Sequence, residues 1–374
     1  MLMLHPPIPL RFDGIVRYAR EHNWHLTIAN RLVRTPSGWN GDGALVTLRG
    51  DVATTHFTEG LIKRGIPVVD LTSYMPEIDV PRVIPDYREA GRIAGGHFAE
   101  IGLKRVAWFS TIWTEVHRLF FDGLSENWPA AEKIVLADFV PKTKLDDVDR
   151  FAREMTPRLK ALPKPIGLLT YNDEEATRIL ALCLETGIRV PDDIAILGIG
   201  NDTFLCENQQ VPISSVIDDL ERNGYEAAAF LDKLMGKPRH AHRKNIPMLV
   251  PCRGLAVRRS TDMIAVDNPV LRKALELLKA KIENPPSTVQ LAKSVGVSRA
   301  TLDRLFSAEL GRSIHDERLR LRIAKAKRML SEGNGTVNEI AAACGFCNAG
   351  HFINVFRRAV NTTPAKWRAA AVVK

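Results

Sequence analysis

The sequence predicts an α/β module over residues 1–260, a short linker over 261–268, and an all-α module over 269–374 that holds two helix-turn-helix units. Three observations predict it. Short apolar runs alternate with longer amphipathic stretches through the first module. That alternation stops near Asp267. One design, a small residue, a glycine and two large apolar residues, then occurs twice.

The apolar runs are "ALVTL", "IPVVDL", "RVAWFS", "KIVLAD", "IGLLTY" and "IAILGIG". Between them stand helix-like stretches such as "YREAGRIAGGHFAEIGL", "DDVDRFAREMTPRLKAL" and "DEEATRILALCLETG". Strands of about five residues alternating with helices of about 12–15 build βαβ units and a mainly parallel sheet. The unbroken apolar character of the runs is that of strands covered on both faces. After "RGLAVRRSTDMIAVDNP" the pattern becomes helical: "VLRKALELLKAKIEN", "TVQLAKSVG", "SRATLDRLFSAELG", "HDERLRLRIAKAKRMLSEG", "TVNEIAAACG" and "CNAGHFINVFRRAV".

The repeated design lies in these helices. Ala292 precedes Gly296 by four residues, with Leu302 and Phe306 following; Ala341 precedes Gly345 by four, with Phe352 and Phe356 following. A small residue lets two helices approach, a glycine makes the tight turn, and the apolar pair seats the second helix on the core. That is helix-turn-helix construction. The copies stand 49 residues apart (341−292).

Cys344 and Cys347 form a C-x-x-C with His351 just beyond. A structural zinc site needs four ligands, and no second Cys/His pair stands at a suitable spacing. A thioredoxin-like pair follows a strand in a βαβ unit, whereas this context is helical. The context favours Cys344 as a packed residue before the turn and Cys347 as a cap-like residue opening the second helix. Redox sensing and metal binding are the lesser alternatives. No metal and no cofactor are expected.

At 374 residues, 45% hydrophobic and 25% charged, the chain has the composition of a soluble protein of more than one domain. No stretch approaches 18 uninterrupted apolar residues, so no membrane partner is expected. The start "MLMLHPPIPLRF" lacks the pattern of a signal peptide, and five scattered cysteines do not form a disulfide framework. The cytoplasm is the expected compartment. From Asp267 to Lys374 there are 19 Lys+Arg and 9 Asp+Glu, a net of +10, while the remainder (52−19 and 43−9) carries −1. A basic module joined to a neutral one points to a polyanion reader attached to something else.

Residues 285–370 resemble the AraC family DNA-binding domain, on "LAKSVGVSRATLDRLFSAELGRSIHDERLRLRIAKAKRML" and "VNEIAAACGFCNAGHFINVFRRAVNTTPAKWR", with the run GF-x5-F-x3-F-x7-P-x2-W-R. The resemblance implies a long central helix holding two recognition helices in successive major grooves of double-stranded DNA. In the first, the groove-facing residues are Arg299, Ala300, Asp303 and Arg304. Arg304 is the candidate for guanine O6/N7, and Asp303 for a cytosine amine. In the second they are Asn348, Ala349, Gly350, His351 and Asn354. The small Ala349 and Gly350 stand where family members often carry long polar side chains. Arg357 and Arg358 are placed on phosphates, which orient without specifying sequence.

Residues 12–260 resemble the LacI-type sugar-sensing domain, a relative of periplasmic binding proteins. The supporting text includes "FDGIVRYAREHNW", "RGIPVVDL", "IPDYREAGRIAGGHFAEIGLKRVAWFS", "GLLTYNDEEATRIL", "RVPDDIAILGIGNDT" and "SSVIDDLERNGYEAAAFLDKL". The resemblance implies two α/β lobes around a cleft, with ligands held beyond the carboxyl ends of the strands. The candidate ligand residues are Asp86, Trp113, Arg118, Asn172, Asp173, Asn201 and Asp202. Asp and Asn give bidentate hydroxyl partners and Trp113 an aromatic face. Two alternatives stay open: Asp173 and Asp202 as helix caps, and a register that puts Val116 in place of Arg118. Only "MLMLHPPIPLR" precedes the first helix, which leads one to expect a truncated or makeshift first strand. A LacI-type sensor ahead of an AraC-type reader implies an activator controlled by a small sugar, xylose or another pentose, working as a homodimer with RNA polymerase.

An enzyme is the rival class. The first module contains no G-x-S-x-G, no P-loop and no H-E-x-x-H, and Gly198–Gly200 is an isolated G-x-G. The other rival is a DNA-binding protein whose first module only dimerises.

Overall fold

The computed structural model describes residues 2–4, 9–29, 39–48, 52–110, 115–129, 131–136, 148–236, 247–263, 265–266, 268–331 and 335–371. The alternation of apolar runs and amphipathic helices gives β1 (Leu2–Leu4), α1 (Pro9–Glu21), β2 (Thr27–Ala29), β3 (Ala44–Val46), α2 (Val52–Lys63) and β4 (Val68–Asp70). These strands make one parallel sheet in the order β2-β1-β3-β4. At the start, where a truncated or makeshift strand is expected, β1 is three residues long and is paired on both sides.

From β5 (Val83–Pro85) the chain enters a second lobe. Its elements are α3 (Tyr87–Glu100), β6 (Arg105–Phe109), α4 (Glu115–Asn127), β7 (Glu132–Val135), α5 (Val148–Ala161), β8 (Ile166–Thr170), α6 (Asp173–Glu185), β9 (Ile194–Ile199), α7 (Thr203–Glu207) and β10 (Ser214–Asp218). It then returns to the first lobe as α8 (Leu220–Met235) and β11 (Met248–Val250), and crosses again into β12 (Cys252–Ala256). The second sheet runs β12-β10-β9-β8-β6-β7, parallel except for β12. Two lobes joined by three crossings, at 85–87, 218–220 and 250–252, form a hinge.

Backbone contacts fix that hinge. The Asp86 amide donates to the Val250 carbonyl at 2.9 Å, and Asp86 and Asp219 cap α3 and α8 just beyond their crossings. In the first lobe α1 lies on α8 with no room for a side chain between them. A Cβ on Gly224 would stand 1.9 Å from the Arg11 carbonyl oxygen, and one on Gly14 would stand 1.9 Å from that of Glu221. This contact places Arg11 beside the hinge.

The C-terminal module is helical: α9 (Pro269–Ala280), α10 (Thr288–Ser294), α11 (Arg299–Leu310), α12 (Ile314–Ser331), α13 (Val337–Ala343), α14 (Ala349–Val360) and α15 (Pro364–Ala371). It has two small cores. Leu271, Leu275, Leu291, Leu302 and Phe306 fill the first, and Ile340, Cys344, Phe352 and Phe356 the second. The 18-residue α12, about 27 Å long at 1.5 Å per residue, contributes Leu321 to one core and Ile323 and Leu330 to the other. Near its start, buried Glu317 accepts from Arg312 at 2.5 Å and from Arg320 at 2.8 Å.

The segment 261–268 packs between the modules. Thr261, Met263, Ala265 and Val266 are buried, the Ala265 amide donates to the Ile101 carbonyl at 2.8 Å, and Lys279 pairs with Asp262 at 2.7 Å. Arg312 also donates to the Glu100 carbonyl at the end of α3, 3.2 Å away. The helical module is therefore seated on the second lobe.

Candidate functional site

Two turns set up one surface of the helical module. Gly296 and Gly345 adopt φ of +76° and +75°, a left-handed conformation that strains any residue with a Cβ. The Ser298 side chain then caps α11 through the Thr301 amide (3.1 Å), and Asn348 caps α14 through the His351 amide (2.7 Å). Below the caps Leu302, Phe306, Phe352 and Phe356 are fully buried. The opposite faces are therefore turned outward.

On α11, Arg299, Ala300, Asp303 and Arg304 are all exposed. Arg299 and Asp303 pair along the helix at 3.5 Å, an exposed contact worth little. On α14, Gly350, His351, Asn354, Arg357 and Arg358 are exposed, while Ala349 is half-buried against the second core. Asn348 is exposed, but its side-chain oxygen is occupied by the cap, and its amide nitrogen lies 3.6 Å from Cys347 Sγ. Cys344 is buried, as its place before the turn requires, and Cys347 is exposed with Sγ 3.6 Å from His351 Nδ1. Among the described residues no cluster of three or more His, Cys, Asp or Glu could hold a metal ion.

The second constellation lies between the lobes. Tyr74, after β4, meets Tyr171, after β8, through their hydroxyls. Burial, with Tyr74 and Tyr87 close by, holds the Tyr171 phenol well above its ordinary range. At the hinge, Asp218 is half-buried, and its carboxyl is pushed up to about 7 by desolvation, against the pull of Arg11. Arg11 Nε and Asp218 Oδ1 are buried and have no hydrogen-bond partner among the described residues.

The residues expected to hold a ligand divide. Asp86 caps α3 at the hinge, accepting from the Glu89 amide at 2.9 Å. Asn172 caps α6, and exposed Asp202 caps the one-turn α7. Asp173 requires a correction: it is 2% exposed and both its oxygens are engaged. Ser215 Oγ donates to Oδ1 at 2.6 Å and the Asp202 amide to Oδ2 at 2.7 Å. It ties β8, β9 and β10 together and does not open onto the cleft. Asn201, at φ +56°, is likewise engaged internally, its side-chain oxygen accepting from Arg258 Nη2 at 2.9 Å. Arg118 also departs from expectation: it is exposed and paired with Asp122 at 3.0 Å, while its neighbours Val116 and His117 turn inward. His117 rests edge-on against Trp108 and beside Tyr171, so α4 contributes its ring to this cluster. Trp113 lies outside the described residues.

Sequence reasoning missed Arg11, Tyr74, Tyr87, His117 and Asp218. Each is ordinary in its local text, and only the crossing of the lobes brings them together.

Comparison with known proteins agrees with both halves. Residues 96–261 match the periplasmic binding protein-like domain, and residues 291–370 match a helix-turn-helix domain. The chain joins a periplasmic-binding-protein-like domain to an AraC-type helix-turn-helix domain, the architecture of a DNA-binding transcriptional regulator. It is similar along 95% of its length to the xylose operon regulatory protein of Escherichia coli strain K12, with 26% identity and 92% of that protein covered. The regulator also shares its fold with the solved xylose-binding transcription activator xylR: TM-score 0.56, 24% identity, and 98% and 97% of the two chains covered. The sensor half shares its fold with a LacI family regulator from Enterococcus faecium solved with bound ribose. There the TM-score is 0.54 and the identity 18%, over 71% of this chain and 99% of that one. No helix among the described residues is long and apolar enough to cross a membrane.

Proposed function

We propose that the regulator binds a pentose, xylose first, between its lobes, and that this sugar controls how residues 269–374 bind DNA. Arg11 Nε and Asp218 Oδ1, buried at the hinge and unpartnered among the described residues, carry the sugar assignment. Buried polar atoms are normally satisfied, and a sugar hydroxyl can donate to the carboxylate while accepting from the guanidinium. Tyr74, Tyr171 and His117 add aromatic faces, and the capping residues Asp86, Asn172 and Asp202 are further candidates for hydroxyl contacts. The xylose-operon relative, similar along nearly the whole chain, supports a pentose.

On the DNA side, Arg304 takes a guanine and Asp303 a cytosine amine, with Arg299 and Ala300 beside them. His351 and Asn354 face the second groove, Asn348 sets the helix start, and Arg357 and Arg358 hold phosphates. A second copy of the chain, binding paired half-sites, and RNA polymerase are the protein partners. Such a regulator works in the cytoplasm, where its DNA is.

A ligand shifts an equilibrium only through unequal affinity for the two states. Two connections join the second lobe to the helical module. Arg258, just before the inter-module segment, bonds Asn201 and pairs with Glu207 at 2.9 Å. The 14-residue α3 begins at Tyr87 and ends where Glu100 meets Arg312. Lobe closure over a sugar would move both.

Calorimetry with xylose, arabinose and ribose tests the sugar site. Because sugar hydroxyls donate to the ionised carboxylate, affinity is expected to rise as pH increases through about 7, where Asp218 titrates. The unliganded fold should respond oppositely. A raised carboxyl pKa contributes stability fully below the unfolded value, and that contribution is lost as pH climbs through about 7. Asp218→Asn should weaken binding by an order of magnitude or more, in line with about 1.5–3 kcal/mol for a charge-assisted hydrogen bond, and flatten the pH profile. Unchanged affinity and an unchanged profile in this variant would place the site elsewhere. If no sugar binds, the rival in which the first module only dimerises is favoured.

A further inference from the structure

The two recognition helices can be aligned residue by residue from their caps. Ser298 and Asn348 each accept from the amide three residues on, and Leu302 and Phe306 are buried like Phe352 and Phe356. Ala300 therefore corresponds to Gly350, Asp303 to Ile353, and Arg304 to Asn354. The position that is acidic in the first helix is aliphatic in the second. Ile353 is 36% exposed, on the same outward face as Asn354 and Arg357.

Its surroundings say what it would meet. Ala349 replaces the arginine that pairs with Asp303 in the first helix, and it is turned toward the core. A Cβ on Gly350 would find only Asn348 Oδ1, at 3.4 Å, so nothing in the fold crowds that place. Beside the exposed His351, the small Ala349 and Gly350 thus leave the start of α14 low, which lets the helix settle deep in a groove. There Ile353 presents a branched aliphatic side chain to the base edges, one helical turn before the phosphate-facing arginines. In the major groove thymine alone offers an apolar group, its 5-methyl.

We infer that the second helix-turn-helix unit reads thymine through Ile353. The proposal deepens the DNA-reading function and rests on it. The two units then read by different chemistry: hydrogen bonds and charge in the first, methyl contact in the second. The groove segment under the second unit is accordingly expected to show a preference for thymine at the position that Ile353 meets, beside the contacts of His351 and Asn354.

Uracil-for-thymine substitution isolates the methyl group. Binding sites for the full chain would be selected from random duplexes at low salt, and each thymine of the selected site replaced in turn by uracil. At one position the parent chain should lose about fourfold in affinity, the equivalent of one buried methyl group. Ile353→Ala should bind the thymine site more weakly by a similar factor and become indifferent to uracil there, whereas Ile353→Val should keep the discrimination. Parent binding that ignores every uracil substitution, or an Ile353→Ala protein that still discriminates, would overturn the proposal. If no duplex is enriched, DNA reading fails and the thymine contact fails with it; enrichment without uracil sensitivity removes only the thymine contact.

Discussion

Raising salt from about 50 to 200 mM is expected to weaken DNA binding by residues 267–374 about a thousandfold or more, the loss typical of six to ten phosphate contacts. That segment holds 19 Lys+Arg against 9 Asp+Glu, and each cation that meets a phosphate releases a condensed counterion. Within this large non-specific dependence single residues should separate. Arg304→Ala removes an exposed fork on the outward face of α11 and should lose discrimination at one base pair, about 1–3 kcal/mol. Arg357→Ala should weaken all sequences alike and lower the salt slope by about one. Anisotropy titrations at several salt concentrations read all three. A flat salt dependence would contradict the phosphate-bound arrangement.

Phe356→Ala is expected to destabilise the helical module by about 3–5 kcal/mol, the usual cost of deleting a fully buried phenyl ring. Its ring is wholly buried, with Phe352 at 5.5 Å and Trp367 at 6.1 Å between centroids. The second core is small, so few neighbours can close the cavity. Loss of Phe356 should release α14 from α12 and α15 and with it the second DNA contact. Thermal unfolding followed by helical circular dichroism reads the effect. A melting temperature within a degree or two of the parent would show that this core does not hold the recognition helix.

The helical module was the more legible half because its construction is local. Ala341, Gly345, Phe352 and Phe356 lie within one short stretch, and period and spacing alone assign turn and core. The apolar runs of the α/β module announced β3, β4 and β6 to β9 for the same reason. β10 was not marked in that way: its text "SSVID" begins with two serines whose hydroxyls are bonded to partners far along the chain. Ser214 Oγ meets Thr261 Oγ1 at 2.7 Å and Ser215 Oγ donates to Asp173. That same network explains why Asp173 looked like a ligand carboxylate: an Asp opening a helix after a strand reads identically whether it faces a cleft or a buried serine. Arg11 and Asp218 are 207 residues apart (218−11) and come within electrostatic reach of each other where α1 is packed on α8 at its glycines. Local text carries no signal for such a pair.

The most direct test of sugar-controlled DNA reading is an anisotropy titration of the full chain on its selected duplex, with and without saturating xylose. The account predicts that a pentose changes DNA affinity in the parent. In Arg258→Ala, which cuts the bond to Asn201 just before the inter-module segment, the sugar should still bind while DNA affinity stays much closer to its sugar-free value. An unchanged affinity for DNA in the parent, across xylose, arabinose and ribose, would contradict it.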